Sequence, residues 1–156
     1  MTSRTEGGIQ RPVCSSCGFV QYLNPAPGAG AILLRGDRIC LVQRKFPPKV
    51  GEWTLPTGFM EWDETIEQNA VREVREETGL EVKLVRLFSV ETGILPPDLP
   101  VLVVFFLAEE TGGSLQAGDD AATVDFYPLD KLPAPIAFGA HRRVLTRVRA
   151  EWVNEN

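Results

Sequence analysis

"GFMEWDETIEQNAVREVREETGL", residues 58–80, holds one helix together with its start and stop signals. Thr65 followed by Gln68 has the spacing of a capping box, in which each side chain bonds the other residue's backbone amide. That spacing predicts a helix beginning near Ile66, and Gly79 is a natural terminator. With Ile66 at zero and about 100° per residue, Ala70, Val74, Thr78 and Val71 fall between roughly 40° and 140° and form a buried stripe. Glu77 falls near roughly 20° and Glu73 near roughly 340°, with Glu76 further round at about 280°. Arg72 and Arg75 point away from the stripe. The two glutamates therefore sit where the helix meets its protein, beside Ile66.

Carboxylates are rarely placed at such a border. Like charges four residues apart on a helix repel by a few tenths of a kcal/mol even in water, and partial burial raises the cost. A divalent cation removes the conflict. Three or four convergent oxygens suit Mg2+, which keeps several waters and takes further oxygens from a substrate phosphate. The competing reading is a solvated helix laced by pairs such as Arg72–Glu76, and helical geometry alone leaves both open.

The spelling decides between them. Gly58, five residues, Glu64, seven residues, then Arg72-Glu73-Val74-x-Glu76-Glu77-x-Gly79-Leu80 resembles the Nudix box at each fixed position. The resemblance to the Nudix hydrolase family extends through "GEWTLPTGFMEWDET" and coarsely over residues 13–150. It implies hydrolysis of a nucleoside diphosphate linked to another moiety, with Mg2+ or Mn2+. It implies Glu73 and Glu77 as metal ligands, Glu76 at a second metal or at metal-bound water, and the Thr57 carbonyl as a further ligand. Many relatives carry Gly or Ala where this chain has Thr57, which keeps the carbonyl. Arg72 is implied to orient the glutamates and Glu64 to brace the loop–helix junction, while Gly58 permits a close backbone turn. For a general base the resemblance offers a glutamate of the box or a later acid, here Glu91, Asp119 or Asp120. The alternative for Asp119 and Asp120 is a solvated turn.

Working outward, "GAGAILL" (28–34) and "RICLVQR" (38–44) read as paired strands about the "RGD" turn. "KFPPKVGE" (45–52) is a loop and "WTLP" a short extended piece. "EVKLVRLFSVETG" (81–93) reads as a long strand, "ILPPDLP" as a loop, and the apolar run "VLVVFFLAEE" (101–110) as a central strand. "TGGSLQAGDDAA" reads as a loop and "TVDFYPL" (123–129) as a strand. "GAHRRVLTRVRAEWV" (139–153) closes the chain as an amphipathic helix with Val144, Leu145, Val148 and Trp152 at helical spacing. This order gives an α/β (α+β) class, the Nudix fold, with a mixed β-sheet sandwiched between helices. Residues 1–12 read as polar and loose. The expected division is 1–27 as an N-terminal tail with a CxxC hairpin and 28–156 as the hydrolase domain.

"CSSCG" (14–18), followed by "YLNPAPGAGAILL", resembles the second knuckle of the zinc ribbon that precedes the domain in NADH and FAD pyrophosphatases. Structural zinc takes four ligands. The first knuckle is missing, Cys40 lies in a strand and His141 is remote, so zinc is not expected and Cys14 and Cys17 read as free thiols.

With 21 acidic and 16 basic residues the formal charge is -5, which argues against nucleic acid or an anionic membrane as partner. No apolar run reaches the length of a membrane span. "MTSRTEGGIQRP" lacks the apolar centre of a signal peptide, and three cysteines are no disulfide framework. The expected setting is the cytoplasm, the expected partner a small nucleotide, and a homodimer is one open assembly. For substrate the expectation is ADP-ribose or a related dinucleotide such as NADH or FAD. Pro96, 16 residues beyond Leu80, resembles a marker of ADP-ribose pyrophosphatases, and "PIAFGAHRRVL" resembles the tail of that branch. Phe59, Trp62, Trp53 and Phe138 are candidates to stack on adenine, Trp53 and Phe138 being equally suited to a core. The alternatives are a house-cleaning nucleoside triphosphate pyrophosphatase and, in another class, a non-catalytic nucleotide sensor. Sensors usually lose box glutamates, and none is lost here.

Overall fold

The computed structural model describes residues 1–155. In chain order the strands are β1 (Thr2–Glu6), β2 (Ile9–Val13), β3 (Ala26–Arg35), β4 (Arg38–Arg44), β5 (Trp53–Thr54) and β6 (Thr57–Phe59). Helix α1 (Ile66–Thr78) follows, then β7 (Leu80–Leu95), β8 (Leu99–Gly113), β9 (Ala121–Pro128) and helix α2 (Gly139–Glu155).

A mixed seven-stranded sheet has the path β5-β4-β3-β8-β7, with β6 added to β3 and β9 to β4. β3 and β8 run parallel from Ala26↔Val101 to Leu33↔Ala108. Strand alternation then feeds two opposite cores. Ile32 on β3, Ile39 and Leu41 on β4 and Phe105 on β8 pack with Val144, Leu145 and Val148 of α2. Their strand neighbours Ala31, Leu33, Cys40 and Ala108 pack with Val74 of α1. β3 is apolar throughout because both of its faces are covered. The sheet is thus sandwiched between the two helices, as the segment order predicts. No helix among the described residues is long and apolar enough to cross a membrane.

Helix α1 carries the predicted caps. The Gln68 amide donates to Thr65 Oγ1 at 3.2 Å and the Thr65 amide to Gln68 Oε1 at 2.8 Å. Gly79 takes φ +74° and its amide donates to the Arg75 carbonyl at 2.9 Å.

Three expectations need correction. Residues 1–12 are not loose: β1 and β2 form a separate two-stranded sheet. Gly7 and Gly8 take φ +58° and +82° and join Glu6 to its partner Ile9, the positive-φ two-residue turn that a Gly-Gly pair favours. "ILPPDLP" is not all loop, since Ile94 and Leu95 pair with Pro100 and Leu99 and leave only Pro96–Asp98 as a turn. β8 also runs on to Gly113, into the expected "TGGS" loop.

Cys14 and Cys17 lie in the turn after β2, closed by Gly18 N–H donating to Cys14 O at 3.0 Å and Cys14 N–H to Phe19 O at 2.8 Å. Both thiols are free, as is the fully buried Cys40, whose thiol is pushed up to about 12 by burial. Cys14→Ser with Cys17→Ser is therefore expected to move Tm by no more than about 2 °C, the scale of surface substitutions. Hydrolysis should stay within about threefold, since no multi-ligand site is lost. Thermal melting with elemental analysis checks this; stoichiometric zinc with unfolding of the double variant would overturn it.

Candidate active site

Arg72 organises the acids of α1. Its Nε and Nη2 donate to the two oxygens of Glu64 at 2.9 and 2.7 Å. Its Nη1 donates to Glu73 and to Glu76, each at 2.8 Å. Nη2 also reaches the Phe59 carbonyl at 3.0 Å, and Asn69 Nδ2 meets the same oxygen at 3.0 Å. The wheel projection had Arg72 pointing away. The long stem instead folds back across the helix, where a planar fork can serve several carboxylates at once. Arg72 holds the Glu64 carboxyl down at about 2, helped by the Glu61 amide, and the acids in turn raise the guanidinium above its usual range.

Glu73 and Glu77 are under the opposite pressure. Burial pushes Glu73 up, against the pull of Arg72. Glu77 is 8% exposed, and burial together with the Glu73 charge pushes it up to about 8. The Thr57 amide, donating to Glu77 Oε2 at 3.0 Å, offsets part of this. Gly58 is a glycine for a local reason: a Cβ there would stand 2.2 Å from the Glu73 carboxylate carbon.

These groups open on a cavity of about 610 Å3. Thr57, Gly58, Phe59, Glu73, Glu77 and Asp120 all line it. Among the described residues no three His, Cys, Asp or Glu side chains converge as a closed metal cage. What α1 offers is an open pair of carboxylates, Glu77 buried and Glu73 half-buried, with Glu76 alongside. That donor set fits a hard cation that keeps waters and takes substrate oxygens, and not one that needs a full protein shell.

A NUDIX domain profile matches residues 24–148. The chain belongs to the Nudix family. It is 38% identical over 137 residues to an ADP-ribose pyrophosphatase of Methanocaldococcus jannaschii, covering 85% of this chain and 78% of that protein. It is 33% identical over 134 residues to the NAD-capped RNA hydrolase NudC of Photobacterium profundum, covering 85% of this chain but only 49% of that protein. The crystal structure of a Nudix hydrolase from Nitrosomonas europaea superposes with a TM-score of 0.84 at 29% identity, over 96% of this chain and 85% of that one. Nudix hydrolases depend on divalent metal.

Against this Nudix frame the remaining candidates separate. Phe59 and Phe138 line the cavity. Trp53 does not: it packs against the α2-side core, edge-on to Tyr127 with ring centroids 4.9 Å apart. Its place is the core, and of the aromatic candidates only the two phenylalanines are at the cavity. Trp62 is exposed and also off the lining. Glu64, Arg72 and Glu76 are off the lining, and Arg72 ties Glu64 and Glu76 to Glu73. Of the candidate bases, Asp120 is at the cavity, whereas Asp119 and Glu91 are not. Burial raises Glu91, but the Ser89 hydroxyl and Arg143 outweigh it and hold the carboxyl low, with Arg143 Nε at 2.7 Å.

Two residues at the cavity escape a sequence reading. Arg44 ends β4, its Nε donating to the Pro48 carbonyl at 2.7 Å and its guanidinium carbon lying 5.1 Å from the centre of the Phe138 ring. It makes no ion pair among the described residues. His141 lies on α2, across the fold from the motif. Neither carries a local signal: Arg44 is one of many strand-end arginines, and a lone histidine on an amphipathic helix reads as core.

Proposed function

We propose that this chain hydrolyses the diphosphate of ADP-ribose or a closely related dinucleotide, giving AMP and ribose 5-phosphate from ADP-ribose, in a reaction that requires Mg2+ or Mn2+. The observation that carries this is the pair of half-buried Glu73 and buried Glu77 at one wall of a cavity with a volume of about 610 Å3, large enough for a dinucleotide. Glu73, Glu77 and Glu76 would hold the metal, with the Thr57 carbonyl beside them. When bound, the ion neutralises the diphosphate and lowers the pKa of an attacking water.

The chain's own residues do the rest. Arg72 fixes Glu73 and Glu76 through one nitrogen, while Glu64 fixes Arg72. Phe59 and Phe138 offer apolar faces to the base. Asp120 lines the cavity without an ion partner among the described residues and is the acid best placed to take the proton of the attacking water. The similarity to an ADP-ribose pyrophosphatase over most of both chains supports the substrate class.

A screen of ADP-ribose, NADH, FAD and nucleoside triphosphates with product identification tests the proposal. AMP and ribose 5-phosphate are expected with Mg2+, and excess chelator is expected to abolish turnover. Full activity in chelator, or preference for a triphosphate with release of pyrophosphate, would overturn it.

A further inference from the structure

The start of α2 contributes Phe138, Gly139, Ala140 and His141 to the cavity wall. His141 is 4% exposed. Its Nδ1 accepts the Leu55 amide at 3.1 Å. An imidazole nitrogen that accepts carries no proton, so the ring proton is on Nε2. Burial, with Arg44 and Arg142 nearby, pushes the ring down to about 3, and the neutral tautomer holds at physiological pH. The Phe105 ring stands edge-on to the imidazole with centroids 5.2 Å apart, and Phe138 tilts against it at 5.7 Å. The ring is therefore fixed in tautomer and in orientation. Yet Nε2–H has no acceptor among the described residues and is not sealed from the cavity.

The surroundings say what kind of acceptor it awaits. The first amides of a helix have no intrahelical partners and carry a partial positive charge, and here they belong to residues of the cavity wall. Arg44 is stacked on Phe138, tethered by the Pro48 carbonyl and unpaired. Arg143, also at the wall, is already paired with Glu91. The wall thus carries donors at Arg44 and the start of α2, and acids at Glu73, Glu77 and Asp120.

We propose that His141 is a substrate-binding residue whose Nε2–H, beside Arg44 and the N-terminus of α2, donates to a phosphoryl oxygen of the nucleotide's diphosphate. This rests on the reading of the cavity as a site for nucleoside diphosphate compounds. Two isosteric variants separate it from a structural role. Asn overlays its amide on Nδ1, so His141→Asn keeps the acceptor for Leu55 and loses the donor to the cavity. Gln overlays its amide on Nε2, so His141→Gln keeps the donor and loses the acceptor.

The experiment measures KM and kcat for ADP-ribose with Mg2+, Kd for ADP-ribose and AMP by calorimetry, and Tm. His141→Asn is expected to melt close to wild type and to raise KM and Kd about five- to tenfold, the scale of one neutral hydrogen bond, with the loss in KM and not in kcat. His141→Gln is expected to recover most of that affinity while melting lower. The reverse pattern, with Asn binding normally and Gln binding poorly, would assign His141 to the fold alone and overturn the proposal. Wild type that hydrolyses ADP-ribose while both variants keep its KM would overturn it and leave the function intact. Wild type that binds without hydrolysis would overturn the function, and the two Kd values would then decide the role of His141. Wild type that neither binds nor hydrolyses these compounds would overturn both.

Discussion

Glu77→Gln is expected to lower turnover at least about 100-fold, the range for removing one preorganised electrostatic group, while the protein stays folded. The amide keeps the size of the side chain and its carbonyl can still accept the Thr57 amide, so the packing of α1 on β6 survives. What is lost is the negative charge of a proposed metal ligand. The same substitution should act oppositely on the metal-free protein. The Glu77 carboxyl is raised to about 8 in the fold, against about 4.3 in an unfolded chain. Its protonated form therefore supports folding fully below pH about 4, and that support is lost as pH rises through about 8. In chelator at pH 8.5 the Gln variant is expected to melt above wild type, and at pH 4 the two should coincide. Glu67→Gln, exposed and outside the fixed positions of the motif, is the control for both measurements. A Gln variant within threefold of wild-type turnover would remove Glu77 from the site.

This opposition also explains how much of the site the sequence discloses. Placing two like charges on the border of an apolar stripe is a local conflict, visible from helical spacing before any tertiary contact is known. Glu73 and Glu77 were flagged by that conflict and decided by the spelling of the motif, while the Thr65 cap and the Gly79 stop were legible because their chemistry is complete within a few residues. The sandwich was legible because β3 and β8 are apolar without alternation and so need cover on both faces. The reach of Arg72 was not, because a wheel projects Cβ directions and ignores a long stem that can fold back. The N-terminal hairpin was missed although Glu6-Gly7-Gly8-Ile9 is a turn signal, since strands of mixed polar residues show no buried face to read. Arg44 and His141 depend on which strand end or helix start the chain brings to the cavity, and Trp53 on what packs over β5. That information lies in pairings such as Trp53↔Ile136 across 83 residues of sequence and in no short segment.

Gly58→Ala is the second change expected to have a large effect, and it separates the site from the fold. A Cβ at Gly58 would lie 2.2 Å from Cδ and Oε1 of Glu73 and 2.3 Å from Oε2, so its three nearest contacts are all with that one carboxylate. A side-chain terminus can move where backbone cannot, so Glu73 must leave, breaking its 2.8 Å bond to Arg72. The carboxylate it displaces is partly desolvated, and its expulsion toward water relieves a cost while the added methyl stiffens the unfolded chain by about 0.4–1 kcal/mol. Tm should hence move by only about 3 °C, the shift that 1 kcal/mol produces in a chain of this size. Activity should fall at least about 100-fold, because a proposed metal ligand and the group that orients it are disturbed together. Gly30→Ala gives the contrast: its Cβ would meet Thr57 Cγ2 at 2.0 Å and the Pro56 carbonyl at 2.1 Å, and since that carbonyl accepts the Ala31 amide at 3.1 Å the strand cannot yield. That variant should lose the fold along with the activity. Gly112→Ala, whose nearest neighbour would be Glu81 Cβ at 3.8 Å, should lose neither. Melting curves and Mg2+-dependent turnover of the three variants decide the matter. If Gly58→Ala unfolds like Gly30→Ala, the glycine serves the β3–β6 pairing; if it stays active, Glu73 can reach the metal from another rotamer and the close approach has no catalytic purpose.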